Sequence, residues 1–159
     1  MGKITTTLTI TNHADEVRLR DGTISPEQVR SVELTNVLVD TGATNLCLPL
    51  KTVEQLGLTP LREVGLTLAT GFARANLYED AKISLLGRSG TFECIALPDS
   101  DHGLLGVVPL EAMGIEPDLQ NQKLKLLPME GKGSYLMAMS PEMYSIPSRT
   151  IIEDENNRA

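Results

Sequence analysis

The chain has 159 residues and a net charge of −7, with 3% aromatic residues. That length suits one domain burying roughly two-thirds of its unfolded surface, and leaves no room for two lobes. The acidic balance and scarcity of stacking rings argue against a nucleic-acid partner.

Thr7 to Thr11 alternates threonine with Leu8 and Ile10, the period of a half-buried strand. Ser25-Pro26-Glu27-Gln28 carries an N-cap serine, a proline at the first helical position and a glutamine three residues after the cap, which predicts a short helical turn. Val32 and Leu34 alternate, Thr35-Asn36 suits a turn, and Val37 to Val39 reads as a strand buried on both faces. That strand ends in Asp40-Thr41-Gly42-Ala43, a carboxylate, a hydroxyl and a glycine at a sharp bend. Alone, an Asp-Thr-Gly tripeptide is equally an ordinary turn.

Leu46 to Pro49 is extended, and Thr52 to Leu56 with Gly57 behind it forms a short helix with a glycine C-cap. Val64 to Tyr78 reads as a hairpin with its tip near Thr70-Gly71. Ile83, Leu85, Phe92 and Ile95 suggest strands around a turn at Gly87-Arg88-Ser89-Gly90. Pro109 to Met113 with Gly114 repeats the helix pattern, and Lys123 to Leu126 alternates as a last strand. The inventory is mostly short strands, so the expected class is all-β with short helices. Beyond Met129 the pattern fails. Ser134 to Ile152 holds enough Tyr, Met and Ile to dock on something, and Glu153 to Ala159 reads as disordered.

Cys47 and Cys94 have apolar neighbours and read as buried thiols, consistent with a reducing cytoplasm. There is no apolar leader after Lys3 and no run approaching the ~18 residues of a membrane span, so neither secretion nor a membrane is expected. Asp99-Ser100-Asp101-His102-Gly103 starts like a calcium loop, but Gly103 and Leu110 occupy ligand positions. His13 and His102 lack zinc spacing. No metal or cofactor is expected.

Downstream of Asp40-Thr41-Gly42, Gly103-Leu104-Leu105-Gly106 supplies an apolar-apolar-Gly pattern, with the Val64 to Tyr78 hairpin between them. In order and spacing these three elements resemble the retropepsin-like aspartic proteases, single-domain enzymes found in retroviruses and in some bacteria, and a bacterial-type member is the form suspected. The resemblance runs from about Val29 to Leu127. It implies a closed acid-protease β-barrel in residues 1–128, a C-terminal extension in 129–159, and an aspartic endopeptidase acting on peptide or protein substrates. Asp40 would be the catalytic carboxylate, with Thr41, Gly42, Ala43, Leu104, Leu105 and Gly106 supporting its loop. Ala69, Thr70, Gly71 and Phe72 would form a substrate-covering flap, although the same segment reads also as an ordinary surface hairpin.

Chemistry of this kind needs two carboxylates, and Asp-Thr-Gly occurs once, so the resemblance implies a homodimer with one shared site. The rival reading is a non-catalytic dimeric peptide-binding module on the same fold. Retroviral members carry acidic residues after Asp-Thr-Gly-Ala and an arginine directly after the later glycine. Here Thr44 and Val107 stand at those positions, so both halves of that ion pair are missing together.

Overall fold

A computed structural model describes residues 3–128; the expected C-terminal extension, including Ser134 to Ile152 and the tail from Glu153, lies outside the described residues. The elements run β1 (Ile4–Asn12), α1 (His13–Arg20), a 3-10 turn (Pro26–Gln28), β2 (Ser31–Val39), β3 (Leu46–Pro49), α2 (Leu50–Leu56), β4 (Thr59–Leu68), β5 (Gly71–Leu85), β6 (Arg88–Leu97), β7 (Leu104–Leu105), α3 (Val107–Met113), β8 (Ile115–Asp118) and β9 (Lys123–Leu126). The described residues are thus mostly strand with three short helices, as the all-β reading expects.

Seven strands form one sheet in the order β1-β2-β7-β3-β6-β5-β4, and a further β1–β5 pairing closes it into a barrel. Strand β5 can serve three neighbours because Asp80 has a positive φ of 71° at a register shift between Tyr78 and Ala81. Residues 71–79 pair with β4, 81–84 with β1 on the same edge, and 77–85 with β6 on the other edge, across the shift. Leu8, Ile10, Val37, Leu46, Leu48, Val53, Leu56, Ile83, Leu105 and Met113 fill the interior. The alternating Leu8 and Ile10 of β1 therefore do what their period predicts.

Three local expectations change in detail. Thr35-Asn36 does not end a strand: β2 runs through it as a bulge, with Asn36 at φ 61° and two residues opposing one between Thr6 and Leu8. The turn expected over Gly87 to Gly90 is a tighter hairpin at Leu86-Gly87, where φ is positive at both residues (53° and 82°), and Arg88 is already in β6. Its guanidinium is buried, donating to the carbonyls of Met113, Gly114 and Leu127, and so clasps the end of α3 to the end of β9. Helix α3 begins two residues before Pro109, directly after Gly106.

Helix α1 has no counterpart in the hydrophobic pattern. Its only buried residue is a charged one, Asp15. Asn12 caps the helix, accepting from the Asp15 amide at 3.1 Å, and its side-chain amide donates to the Leu56 carbonyl at the end of α2 at 2.8 Å. The Asp15 carboxylate accepts from the Arg30 backbone amide (3.0 Å), from two Arg30 guanidinium nitrogens (2.9 and 3.0 Å) and from Arg18 (2.9 Å). Glu16 adds an ion pair to Lys82 on β5 at 3.2 Å. The helix is therefore held to the barrel by polar bonds, with the chain entering β2 pinned beside it.

Arg30 hydrogen bonds dominate over the cost of burial at Asp15 and hold its carboxyl at about 2, below its ordinary 3.8. A carboxyl depressed on folding contributes stability that is complete above the unfolded value and is lost as pH falls through the folded one. Asp15→Asn is accordingly expected to cost about 2 kcal/mol at neutral pH, with the gap between variant and parent narrowing between pH 4 and pH 2. Urea unfolding of both proteins across that range measures it.

Candidate active site

Strand β7 lies between β2 and β3, although β2 and β3 follow each other in sequence. It pairs in parallel with β2, Leu38 with Leu104 and Val39 with Leu105, and antiparallel with β3 through Leu46 and Cys47. The segment from Asp40 to Asn45 must therefore pass over the end of β7 to reach β3. Backbone bonds hold that crossing: Leu38 N–H donates to the Gly103 carbonyl (2.9 Å), Asp40 N–H to Leu105 (3.0 Å), Val107 N–H to Ala43 (2.9 Å) and Val108 N–H to Thr44 (2.9 Å). The last two bonds join the same two segments that lack the retroviral ion pair.

Gly106 is where the segments touch. A Cβ there would lie 2.5 Å from the Asn45 carbonyl oxygen and 2.6 Å from that of Ala43. Only a glycine fits without backbone displacement.

Asp40 sits half-buried just past β2. One of its carboxylate oxygens accepts from the Gly42 amide at 2.9 Å, and the Ala43 amide closes a turn onto the Asp40 carbonyl at 3.0 Å. One carboxylate oxygen is thus oriented by the backbone of its own loop. Asp40, Gly42, Ala43 and Leu104 line a cleft of about 370 Å³, roofed by Leu66 to Ala69 of the β4–β5 hairpin. The cleft is otherwise apolar or neutral, with Cys47, Ile95 and Leu97 in its walls.

Not every expected residue meets there. Leu105 is fully buried in the core, whereas Leu104 is half-buried and faces the cleft. Thr41 is exposed and lines a different cavity of about 220 Å³, between the loop, α3 and β8, with Leu110, Glu111, Ile115 and Pro117. In the hairpin Ala69 reaches the cleft, but Thr70, Gly71 and Phe72 are not among its lining residues. Phe72 is 73% exposed, and its ring lies across Gly65, on the face of the hairpin that also carries the Arg74–Glu63 ion pair.

Leu66, Thr67 and Leu68, part of the expected flap segment but not among its named contact residues, also line the cleft. The signal was available, since Val64, Leu66 and Leu68 alternate along β4. Cys47 was expected to be buried and is, yet it also faces the cleft. Strand register puts Cys47 beside Ile95 and Cys94 beside Leu46, so the two thiols belong to different clusters and remain free. Burial, and then the nearby charge of Asp40, pushes the Cys47 thiol up to about 11; burial and Cys47 push Cys94 to about 12. Both are neutral thiols at physiological pH and poor nucleophiles. Among the described residues no three His, Cys, Asp or Glu side chains converge as a metal site requires, and no helix is long and apolar enough to cross a membrane.

A carboxylate on a backbone-braced Asp-Thr-Gly loop, set under a hairpin in a closed β-barrel, is the arrangement of an aspartic-protease domain. The family model for aspartyl proteases matches residues 28–108, and the chain belongs to that retropepsin-like family. Among solved structures it is similar to the solution structure of Simian Foamy Virus (mac) protease, at 21% identity and a TM-score of 0.43, covering 67% of this chain and 90% of that one. Comparison with curated proteins finds no match.

The crossing at Gly106 generates a direct test. Gly106→Ala is expected to destabilise the domain by about 3 kcal/mol, because backbone rather than a flexible side chain must yield. Denaturant unfolding measures the loss.

Proposed function

We propose that the chain is an aspartic endopeptidase whose active site forms where the Asp40 loops of two copies meet at a two-fold axis. The observation that carries this is Asp40 itself: its carboxylate is oriented by the Gly42 amide and opens into a roofed cleft, and the 159 residues contain no second Asp-Thr-Gly. Family membership supports the protease class. The need for a second carboxylate supports the homodimer.

With two Asp40 side chains ~3 Å apart, both cannot ionise, so the pair shares one proton. The ionised member takes a proton from a water that attacks the peptide carbonyl. The protonated member donates to the carbonyl oxygen as negative charge develops there. Thr41, next in the chain and exposed beside α3 and β8, bonds across the axis to the second loop. Gly42, Ala43, Leu104, Leu105 and Gly106 keep the loop in place. The β4–β5 hairpin covers an extended peptide substrate, with Ala69 directly above it and Thr70, Gly71 and Phe72 completing the tip. The free, neutral thiols fit a cytoplasmic protein.

Asp40→Asn is expected to abolish peptide cleavage while leaving the fold and the dimer intact. Digestion of denatured casein, followed by mass spectrometry of the products alongside sedimentation of both proteins, tests this. Full turnover by the variant would remove the mechanism, and a fully active monomer would remove the shared site. Cleavage by the parent is expected to follow a bell-shaped pH profile centred on the acidic side of neutrality, and specific activity is expected to fall on dilution as dimers dissociate.

A further inference from the structure

The cavity of about 220 Å³ beside Thr41 is not used by the proposed chemistry. Its walls are apolar, from Val107, Leu110, Ile115, Pro117 and Leu127, while the carboxylates of Glu111 and Glu116 are exposed around it. Glu116 reaches Lys125 only at 3.9 Å, and Glu111 has no ion-pair partner among the described residues. An apolar hollow rimmed by uncompensated negative charge favours an occupant that is apolar and carries a positive charge.

The continuation of the chain has that chemistry. Leu127 is one of the walls, so the residues after Pro128 start from the cavity's edge. They read Met129-Glu130-Gly131-Lys132-Gly133-Ser134 and then Tyr135-Leu136-Met137-Ala138-Met139, an unbroken apolar run. Tyr135 is eight residues beyond Leu127, a separation that reaches up to about 26 Å when extended. Gly131 and Gly133 tolerate the backbone angles of a reversal. Lys132 falls between the wall residue and the apolar run, within reach of Glu111 and Glu116.

We infer that residues 135–139 dock in this cavity of their own chain and compete there with a second copy, so that the tail restrains dimer assembly. The cavity abuts Thr41, which the proposed function places at the two-fold axis, and a segment seated beside Thr41 occupies space that the partner needs. A tethered segment acts at an effective concentration of order millimolar, whereas a second copy has to arrive from solution. That copy also brings its own Glu111 and Glu116, on a chain of net charge −7, so the tail with Lys132 is the better electrostatic match. The docked form prevails in dilute protein and gives way as protein concentration rises. This rests on the proposed dimeric peptidase.

Benzoylphenylalanine in place of Tyr135 in the full-length protein, irradiated at a concentration where sedimentation shows monomer, locates the segment by mass spectrometry. Crosslinks within one chain to residues 107–117 are expected; crosslinks only between chains, or none to the cavity, overturn the docking. Leu136→Ser is expected to lower the midpoint concentration of dimerisation about ten-fold in sedimentation and to raise casein cleavage per molecule in dilute protein. A midpoint that rises instead makes the segment a clasp between copies and overturns the inference, as does a variant that stays monomeric at every concentration. In-chain crosslinks and the lowered midpoint, without cleavage by either protein, support the docking and overturn the peptidase. Cleavage by the parent with an unmoved midpoint overturns the docking and leaves the peptidase standing.

Discussion

The approach of two backbone segments at Gly106 is the constraint on which the rest depends. Strand β7 occupies the place beside β2 that β3 would otherwise take, so the chain leaving β2 has to climb over it. The climb lifts Asp40 off the end of β2, where of the three residues expected to be buried only Val37 is and Leu38 and Val39 are half-buried, and presents its carboxylate at the floor of a cleft. Four backbone hydrogen bonds stabilise the crossing, and none of them depends on a particular side chain. Glycine is required because side-chain volume at that point would collide with carbonyl oxygens. The missing ion pair between the Thr44 and Val107 positions is therefore no weakness in this chain, since main-chain bonds already join those segments.

A second, polar network secures the opposite region of the barrel. Asn12 bridges the start of α1 and the end of α2, and Asp15 gathers two arginines and a backbone amide around a carboxylate that is almost wholly buried. A buried carboxylate without such partners would be costly; with them it locks the entry to β2. Because β2 carries Asp40 at its far end, the network and the site share one element. The low titration of Asp15 keeps that anchor charged at the mildly acidic pH where a shared-proton carboxylate pair would work.

Much of this architecture was legible in the residues, for reasons that differ by element. The alternation in β1, the glycine caps after α2 and α3, and the hairpin roofing the cleft follow from period and turn chemistry. The Asp40 loop and the Leu104-Leu105-Gly106 segment were recognisable only as a pair, since neither is specific alone. Helix α1 was missed because it buries a carboxylate and not an apolar stripe, so hydrophobic period has nothing to report there. Its signals were electrostatic: an asparagine cap, acids in the first turn and arginines in the last. The separate positions of Leu104 and Leu105, one facing the cleft and one the core, follow from alternation across a strand of two residues, too short for its faces to be assigned in advance. Phe72 was assigned to the flap by its position in the hairpin, but the pleat sends it to the face that Gly65 leaves open.

The insertion of β7 also bears on how the domain is made. Its two neighbours, β2 and β3, are synthesised long before it, and they cannot settle into their final spacing until Leu104 and Leu105 arrive to occupy the gap. Contacts so distant in sequence carry a large loop-closure cost and tend to form late. The carboxylate-bearing loop consequently depends on contacts distant in sequence, Leu38 with Leu104 and Val39 with Leu105. A nascent or truncated chain lacking that short strand would carry every residue of the Asp-Thr-Gly motif and still have no platform on which to hold it.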